Sequence, residues 1–267
     1  MSLTRCFAIV LRQYYLIRGS FARFVQLFVW VGLDMILWGF MTKYMNTLSD
    51  SKTNFVPMLL GAVLLWDFLV RVMQGVTIAF FEDVWSRNFL NIFATPLKIS
   101  EYLSGLVITS LASSCVGLVV MLILSTSIFG LSFFSYGLTL IPFIMILFMF
   151  GIALGIFATA IVLRLGPASE WFIWPVPALI SPFIGVFYPL TVLPEWMRGV
   201  SKILPPSYVF EEMRRIVAGE ASNNQSLVVG LILSAFYILL ACWTFKKTYG
   251  YAIRSGLIAR YSAESVS

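Results

Sequence analysis

The groups able to do chemistry in this chain are few and stand far apart. Asp34, Asp67 and Arg71 sit inside long apolar runs, and Glu82 and Asp83 open a polar stretch, residues 82–105, EDVWSRNFLNIFATPLKISEYLSG. Ionisable residues inside a membrane are costly unless paired and are candidates for function by default. Asp67 and Arg71 are one helical turn apart, a spacing that serves an internal ion pair or a polar contact with a substrate or a second copy of the chain. Asp34 has no such neighbour and points to an interface or a water-filled cavity. An enzyme needs convergent acid–base groups or metal ligands, and Asp34, Asp67 and Asp83 form no such cluster. Histidine, the commonest metal ligand and general base, does not occur in the sequence. Nor does the G-x-x-x-x-G-K-[ST] loop that cradles phosphates. If ATP drives work here, another polypeptide binds it.

The elements that position these groups are membrane spans. The chain has 267 residues, is 60% hydrophobic and has a mean hydropathy of +0.93, yet only 11% of its residues are charged. Soluble domains carry about 25%, so a soluble single-domain fold is excluded. Tyr102 to Leu163 is a run of 62 residues without a charged side chain. One crossing needs about 20, so this run is two spans with a turn near Gly130–Ser135. The pattern predicts an all-α polytopic membrane protein with six spans, at 22–43, 55–81, 105–130, 135–163, 171–193 and 226–246. Cys6, Cys115 and Cys242 are far apart in or beside apolar segments, where cysteine behaves as a small apolar residue rather than as part of a disulfide framework.

Residues 1–21 precede the first span. Arg5, Arg12, Arg18 and Arg23 interrupt any apolar core of a cleavable signal. Phe7, Val10, Leu11, Tyr14 and Ile17 follow helical spacing, with Arg5 and Arg12 seven apart on one side. This reads as an amphipathic helix lying on the membrane surface, a solvated lead-in being the alternative. With both ends inside, internal segments hold 11 Lys/Arg (Arg5, Arg12, Arg18, Arg23, Arg87, Lys98, Arg164, Lys246, Lys247, Arg254 and Arg260) and external ones six (Lys43, Lys52, Arg198, Lys202, Arg214 and Arg215), which places both termini and the 82–104 region in the cytoplasm. The net charge of +6 comes from basic residues scattered or flanking spans, and no nucleic-acid partner is expected.

The fifth span carries Pro175, Pro177, Pro182, Pro189 and Pro194. Each proline removes a donor and disturbs a helix, so this span is expected to bend inside the bundle and end irregularly. It is either a kinked structural element or one that moves or faces substrate. Residues 195–219 then read as two short amphipathic helices joined by Pro205-Pro206. Ser207 is the expected N-cap of the second, Glu211 and Arg215 an i,i+4 pair, and Gly219 its stop. Trp66, Trp171, Trp174, Tyr188 and Trp196 serve as interface anchors or line a path for a greasy or glycan substrate. Gly151 and Gly155 form a G-x-x-x-G that permits close helix contact.

The chain resembles the permease subunits of ABC-2 type ATP-binding-cassette transporters over essentially its whole length. The resemblance is carried by the acidic start Glu82-Asp83, the turn Ala94-Thr95-Pro96-Leu97, the proline-rich fifth span with Tyr188-Pro189-Leu190 and Leu193-Pro194, and Pro205-Pro206-Ser207-Tyr208. Family members often have a glycine after the acidic start, where this chain has Val84-Trp85-Ser86, which leaves the subfamily open. The resemblance implies a half-transporter with an interfacial helix at 1–21, a cytoplasmic coupling helix at 82–104 and re-entrant helices at 195–219. Two copies would pair in the cell's inner (plasma) membrane, in contact with its lipids, above two copies of a separate ATPase subunit. ATP and magnesium would reside on that subunit, and no cofactor on this chain. Glu82, Asp83, Trp85, Asn88, Thr95, Pro96 and Leu97 would couple to the ATPase. Asp34, Trp66, Asp67, Arg71, Tyr188, Pro189 and Trp196 would line the substrate path or the interface between copies. The implied activity is export of an amphipathic cargo, a lipid-linked glycan or lipo-oligosaccharide first, with hydrophobic drug efflux as the alternative. A secondary transporter is disfavoured because no second broken span matches the fifth, and an assembly subunit without transport stays open.

Overall fold

A backbone in lipid must satisfy its own hydrogen bonds, and this chain does so with helices. The structure is a computed structural model that describes residues 2–48, 56–86, 88–131, 133–166, 169, 171 and 173–257. Among the described residues the order is α1 (Leu3–Arg18), α2 (Phe21–Leu48), α3 (Gly61–Trp85), α4 (Phe89–Phe93), α5 (Ile99–Phe129), α6 (Leu140–Leu165), α7 (Val176–Ile184), α8 (Glu195–Ser201), α9 (Pro205–Val217) and α10 (Asn224–Arg254), with no strand. Among the described residues, four stretches are long and apolar enough to cross a bilayer: Pro57–Trp85, Ile99–Phe129, Tyr136–Leu165 and Asn224–Arg254. Lys52, Arg87 and Arg260, counted above for orientation, lie outside the described residues, as do residues 55 and 172 of the expected spans and the side chains of Arg23, Phe89 and Leu90.

α3 is the centre of the core. Most of its length is buried, and α5 and α6 cover it while α10 backs α6. The α3–α6 contact is close because Gly151 and Gly155 lie in it. A Cβ on Gly151 would fall 2.9 Å from Val72 and 3.0 Å from the Leu69 carbonyl, and one on Gly155 would fall 2.9 Å from Val76 and 3.0 Å from the Met73 carbonyl. The G-x-x-x-G read in the sequence is therefore a seam within the chain. α1 packs on the opposite flank, its Cys6 and Ile9 buried against α5 over Gly105. Cys115 and Cys242 instead point outward, midway along α5 and α10.

Three expectations need correction. The segment 171–193 is not one membrane-length helix. Only Val176–Ile184 is α-helical, and a single 3₁₀ turn at Leu190–Val192 follows. Pro177 is tolerated near the helix start, and Gly185 stops the helix in the left-handed region at φ 66°. Second, Pro205-Pro206 opens α9 rather than separating it from α8, since proline fits the first helical turn. Ser207 is then inside the helix, where its hydroxyl donates to the Ser201 carbonyl at 2.6 Å. Third, the ion pairs on α9 run i,i+3: Glu211 with Arg214 at 2.9 Å and Glu212 with Arg215 at 3.0 Å. Arg214 is held on the Glu211 side because its guanidinium also donates to the Gly185 and Val186 carbonyls that the α7 break leaves open. Glu211 in turn accepts from the Leu190 backbone N–H at 2.9 Å.

This network fixes the broken segment to α9. Arg214→Ala should lower stability by about 2 kcal/mol, because charged hydrogen bonds to the carbonyls of buried residues are lost together. Unfolding free energy in bicelles, set beside that of the solvent-facing control Arg198→Ala, checks it.

Candidate functional site

The polar stretch folds as a short cap on one end of the bundle. α3 runs on to Trp85, so Glu82 and Asp83 belong to that helix and not to a separate one. The expected coupling helix is reduced to the five residues of α4, which end before the turn at Thr95-Pro96. Its Phe93 ring sits 5.4 Å from Tyr102 of α5 and 5.8 Å from Tyr249 of α10, which wedges α4 against two long helices. α5 then restarts at Ile99, with Glu101 accepting from the Lys98 backbone N–H at 3.0 Å.

The residues expected to couple divide by exposure. Trp85 is 43% exposed, 5.7 Å from the Phe81 ring. Thr95 and Pro96 are exposed, and the Thr95 hydroxyl closes the turn on the Ile92 carbonyl at 2.6 Å. Asn88 is half-buried, donates its backbone N–H to the Asp83 carbonyl at 3.1 Å and accepts from the Asn91 amide at 3.2 Å. Leu97 packs on the core and Glu82 is half-buried. Asp83 is 0% exposed. A carboxylate with no surface does not reach a partner. It accepts two bonds from the Arg12 guanidinium, one of them at 3.0 Å, and one from the Tyr102 hydroxyl at 2.7 Å. Burial pulls the Arg12 guanidinium down, but the hydrogen bond and charge of Asp83 outweigh it and leave its pKa above the ordinary value.

Sequence reasoning missed the other half of this arrangement. Arg5 donates to the Pro96 carbonyl and pairs with Glu101 at 3.5 Å, and Glu101 also accepts from the Ser2 backbone N–H at 2.6 Å. The seven-residue spacing of Arg5 and Arg12 on one side of a surface helix is visible in the sequence, but not what that side meets. In the structure they turn toward the loop, and Leu3, Phe7, Leu11 and Tyr14 form the exposed stripe.

The intramembrane charges form a second cluster. Asp34 of α2 and Arg71 both lie within electrostatic reach of Asp67. Arg71 lies across Gly117 of α5, where a Cβ would fall 2.7 Å from its Nε. The buried Oδ2 of Asp67 and the Oγ of Ser114, three residues before Gly117, have no hydrogen-bond partner among the described residues. Asp34 is on the exposed side of α2. The structure thus brings Asp34, distant in sequence, within electrostatic reach of Asp67, which already stands one turn from Arg71. It does not gather the aromatic candidates. Trp66 packs on the core, Trp196 is 66% exposed and meets Phe183 edge-on, and the Tyr188 hydroxyl donates to the Pro182 carbonyl at 2.8 Å, beside Pro189. No group of three or more Cys, Asp or Glu able to hold a metal occurs among the described residues.

The profile of the family described as ABC-2 family transporter protein matches residues 39–243, which takes in the loop, Asp67, Arg71 and the broken segment but not Asp34. The chain belongs to the ABC-2 transporter family. No curated protein matches it. As an ABC-2 permease it is a membrane protein of a class that works with an ATPase subunit. In an ABC-2 permease the cap built from α4 and the Thr95-Pro96 turn is the candidate docking element.

Proposed function

We propose that the chain is the permease half of an ATP-driven exporter, two copies of it pairing above two separate ATPase subunits that bind ATP and magnesium. The observation that carries this reading is the loop between α3 and α5. It exposes Trp85, Thr95 and Pro96 while Phe93, Asp83 and Glu101 hold its base to three helices, so a push on its tip is delivered into the bundle. The loop faces the cytoplasm in this reading, with both termini, as the excess of Lys/Arg on that side favours. The membrane is the inner or plasma membrane, and the chain crosses it six times. α2, with 28 residues, exceeds the roughly 20 needed, and the segment around α7 is the fifth crossing, a broken one. Asp34 and the Asp67–Arg71 pair, with Trp66, Tyr188, Pro189 and Trp196, border the cargo path or the contact between copies. The cargo is amphipathic, a lipid-linked glycan or lipo-oligosaccharide. The exposed Trp171, Trp174 and Trp196 along the broken segment support a path that accepts sugar faces and acyl chains together.

Purification of the tagged chain from its native membranes in mild detergent, with partners identified by mass, tests this. Recovery of an ATPase with a phosphate-binding loop in equal amount is the expected result, and its rate then ranks glycans against hydrophobic drugs. Recovery of the chain alone, under conditions that preserve other transporter complexes, removes the reading.

A further inference from the structure

We infer that α1 is a strap that binds both ends of the docking loop, so that the loop transmits force to the interfacial helix as well as to α3 and α5. The inference rests on the permease reading and adds a positioning role for Arg5 and Arg12. The geometry is two-point. At the entrance of the loop, Arg12 reaches 71 positions along the chain to Asp83 and bonds both carboxylate oxygens. At the exit, 91 positions away, Arg5 holds the Pro96 carbonyl and stands 3.5 Å from Glu101, while the Ser2 backbone N–H donates to Glu101 at 2.6 Å. Arg5 and Arg12 are two helical turns apart, about 10 Å along the axis, so α1 bridges the mouth of the loop.

The strap is stiff where it crosses α5. A Cβ on Gly105 would fall 2.6 Å from Ile9 and 3.2 Å from the Cys6 carbonyl, so α1 lies flush on α5 with no room to roll. Both acceptors are nearly sealed from water, Asp83 at 0% and Glu101 at 1% exposed, whereas the arginines keep 29% and 40% of their side chains in contact with the surroundings. The stripe of Leu3, Phe7, Leu11 and Tyr14 on the far side of α1 meets lipid. Loop, strap and leaflet are therefore joined in series, and a displacement of the α4 tip drags a lipid-embedded helix with it. Bidentate geometry makes arginine the residue for the entrance contact, since lysine offers one point charge.

The test uses the full chain in nanodiscs. Spin labels are placed at Leu11→Cys on α1 and Asn91→Cys on α4, both exposed positions. The distance distribution is expected to be narrow in this background and broad when Arg5→Ala and Arg12→Ala are added together. Arg12→Lys should give an intermediate width. In the captured complex with the ATPase, Arg5→Ala/Arg12→Ala should leave co-purification intact and lower the stimulation of ATP hydrolysis by the permease about tenfold. An unchanged narrow distribution in the double variant overturns the strap, whether or not an ATPase is found. A broad distribution with undiminished stimulation overturns its role in transmission. If no ATPase co-purifies with the unsubstituted chain, the permease reading has failed, while the nanodisc distances still decide whether α1 holds the loop. Arg5→Ala alone, which leaves the buried Asp83 contacts in place, guards against misfolding as the cause of a broad distribution.

Discussion

Asp83→Ala is expected to cost the chain about 3 kcal/mol of unfolding free energy, near the lower end of what removing one member of a buried ion pair costs. The carboxylate is completely enclosed and is shared by the Arg12 guanidinium and the Tyr102 hydroxyl. Its removal leaves a cation 29% exposed and a phenol with no exposure. Partial access of Arg12 to water softens the penalty and keeps it below that of a fully buried charge. Tyr102→Phe takes away one bond and leaves the ion pair, so about 1 kcal/mol is expected. Arg12→Ala combined with Asp83→Ala should cost less than the sum of the two, because the second substitution removes a group already orphaned by the first. Unfolding free energies in bicelles for the three single variants and the double one check the order. If Asp83→Ala is neutral, the Arg12 contact carries no stability and the end of α3 is held by apolar packing alone.

The second large effect is at the seam between α3 and α6. Gly155→Leu should cost about 3 kcal/mol, the upper part of the usual range for overpacking. The side chain would enter a space bounded by the Met73 carbonyl at 3.0 Å from the new Cβ, and a backbone oxygen in the middle of a helix cannot swing aside. Gly151→Leu meets the Leu69 carbonyl in the same way, one turn earlier. Gly199→Leu, at a glycine with open space around it, is the control and should change little. Thermal unfolding in detergent followed by circular dichroism separates the three. Equal melting of Gly155→Leu and Gly199→Leu would show that α6 can stand off from α3 without loss.

The long helices were legible because lipid permits few alternatives. The uncharged run from Tyr102 to Leu163 had to be two spans, and α5 and α6 occupy it, with Gly130 at φ 67° opening the turn between them. The proline count in 171–193 signalled a broken element, but not that its helix would shrink to Val176–Ile184. Gly185 stops that helix in the left-handed region, and its carbonyl is taken by Arg214, some thirty residues away. The loop was legible as a polar island with a stop at Pro96. Its internal wiring was not, because Asp83 and Glu101 look like surface acids until α1 is laid against them. Pairings such as Arg12 with Asp83 and Arg5 with Glu101 leave no local spacing to read. On α9 both registers of Glu and Arg were available to a helix, and contacts from outside the helix chose i,i+3.

The placement of the three cysteines has an experimental consequence. Cys6 is 3% exposed on the inner face of the strap, and Cys115 and Cys242 face outward midway along two apolar helices long enough to cross a bilayer, which would set them in hydrocarbon rather than water. Water-soluble maleimides and methanethiosulfonates will therefore pass over the native chain. It serves as its own silent background, so that reporters placed on the loop or the strap can be read with all three native cysteines left in place.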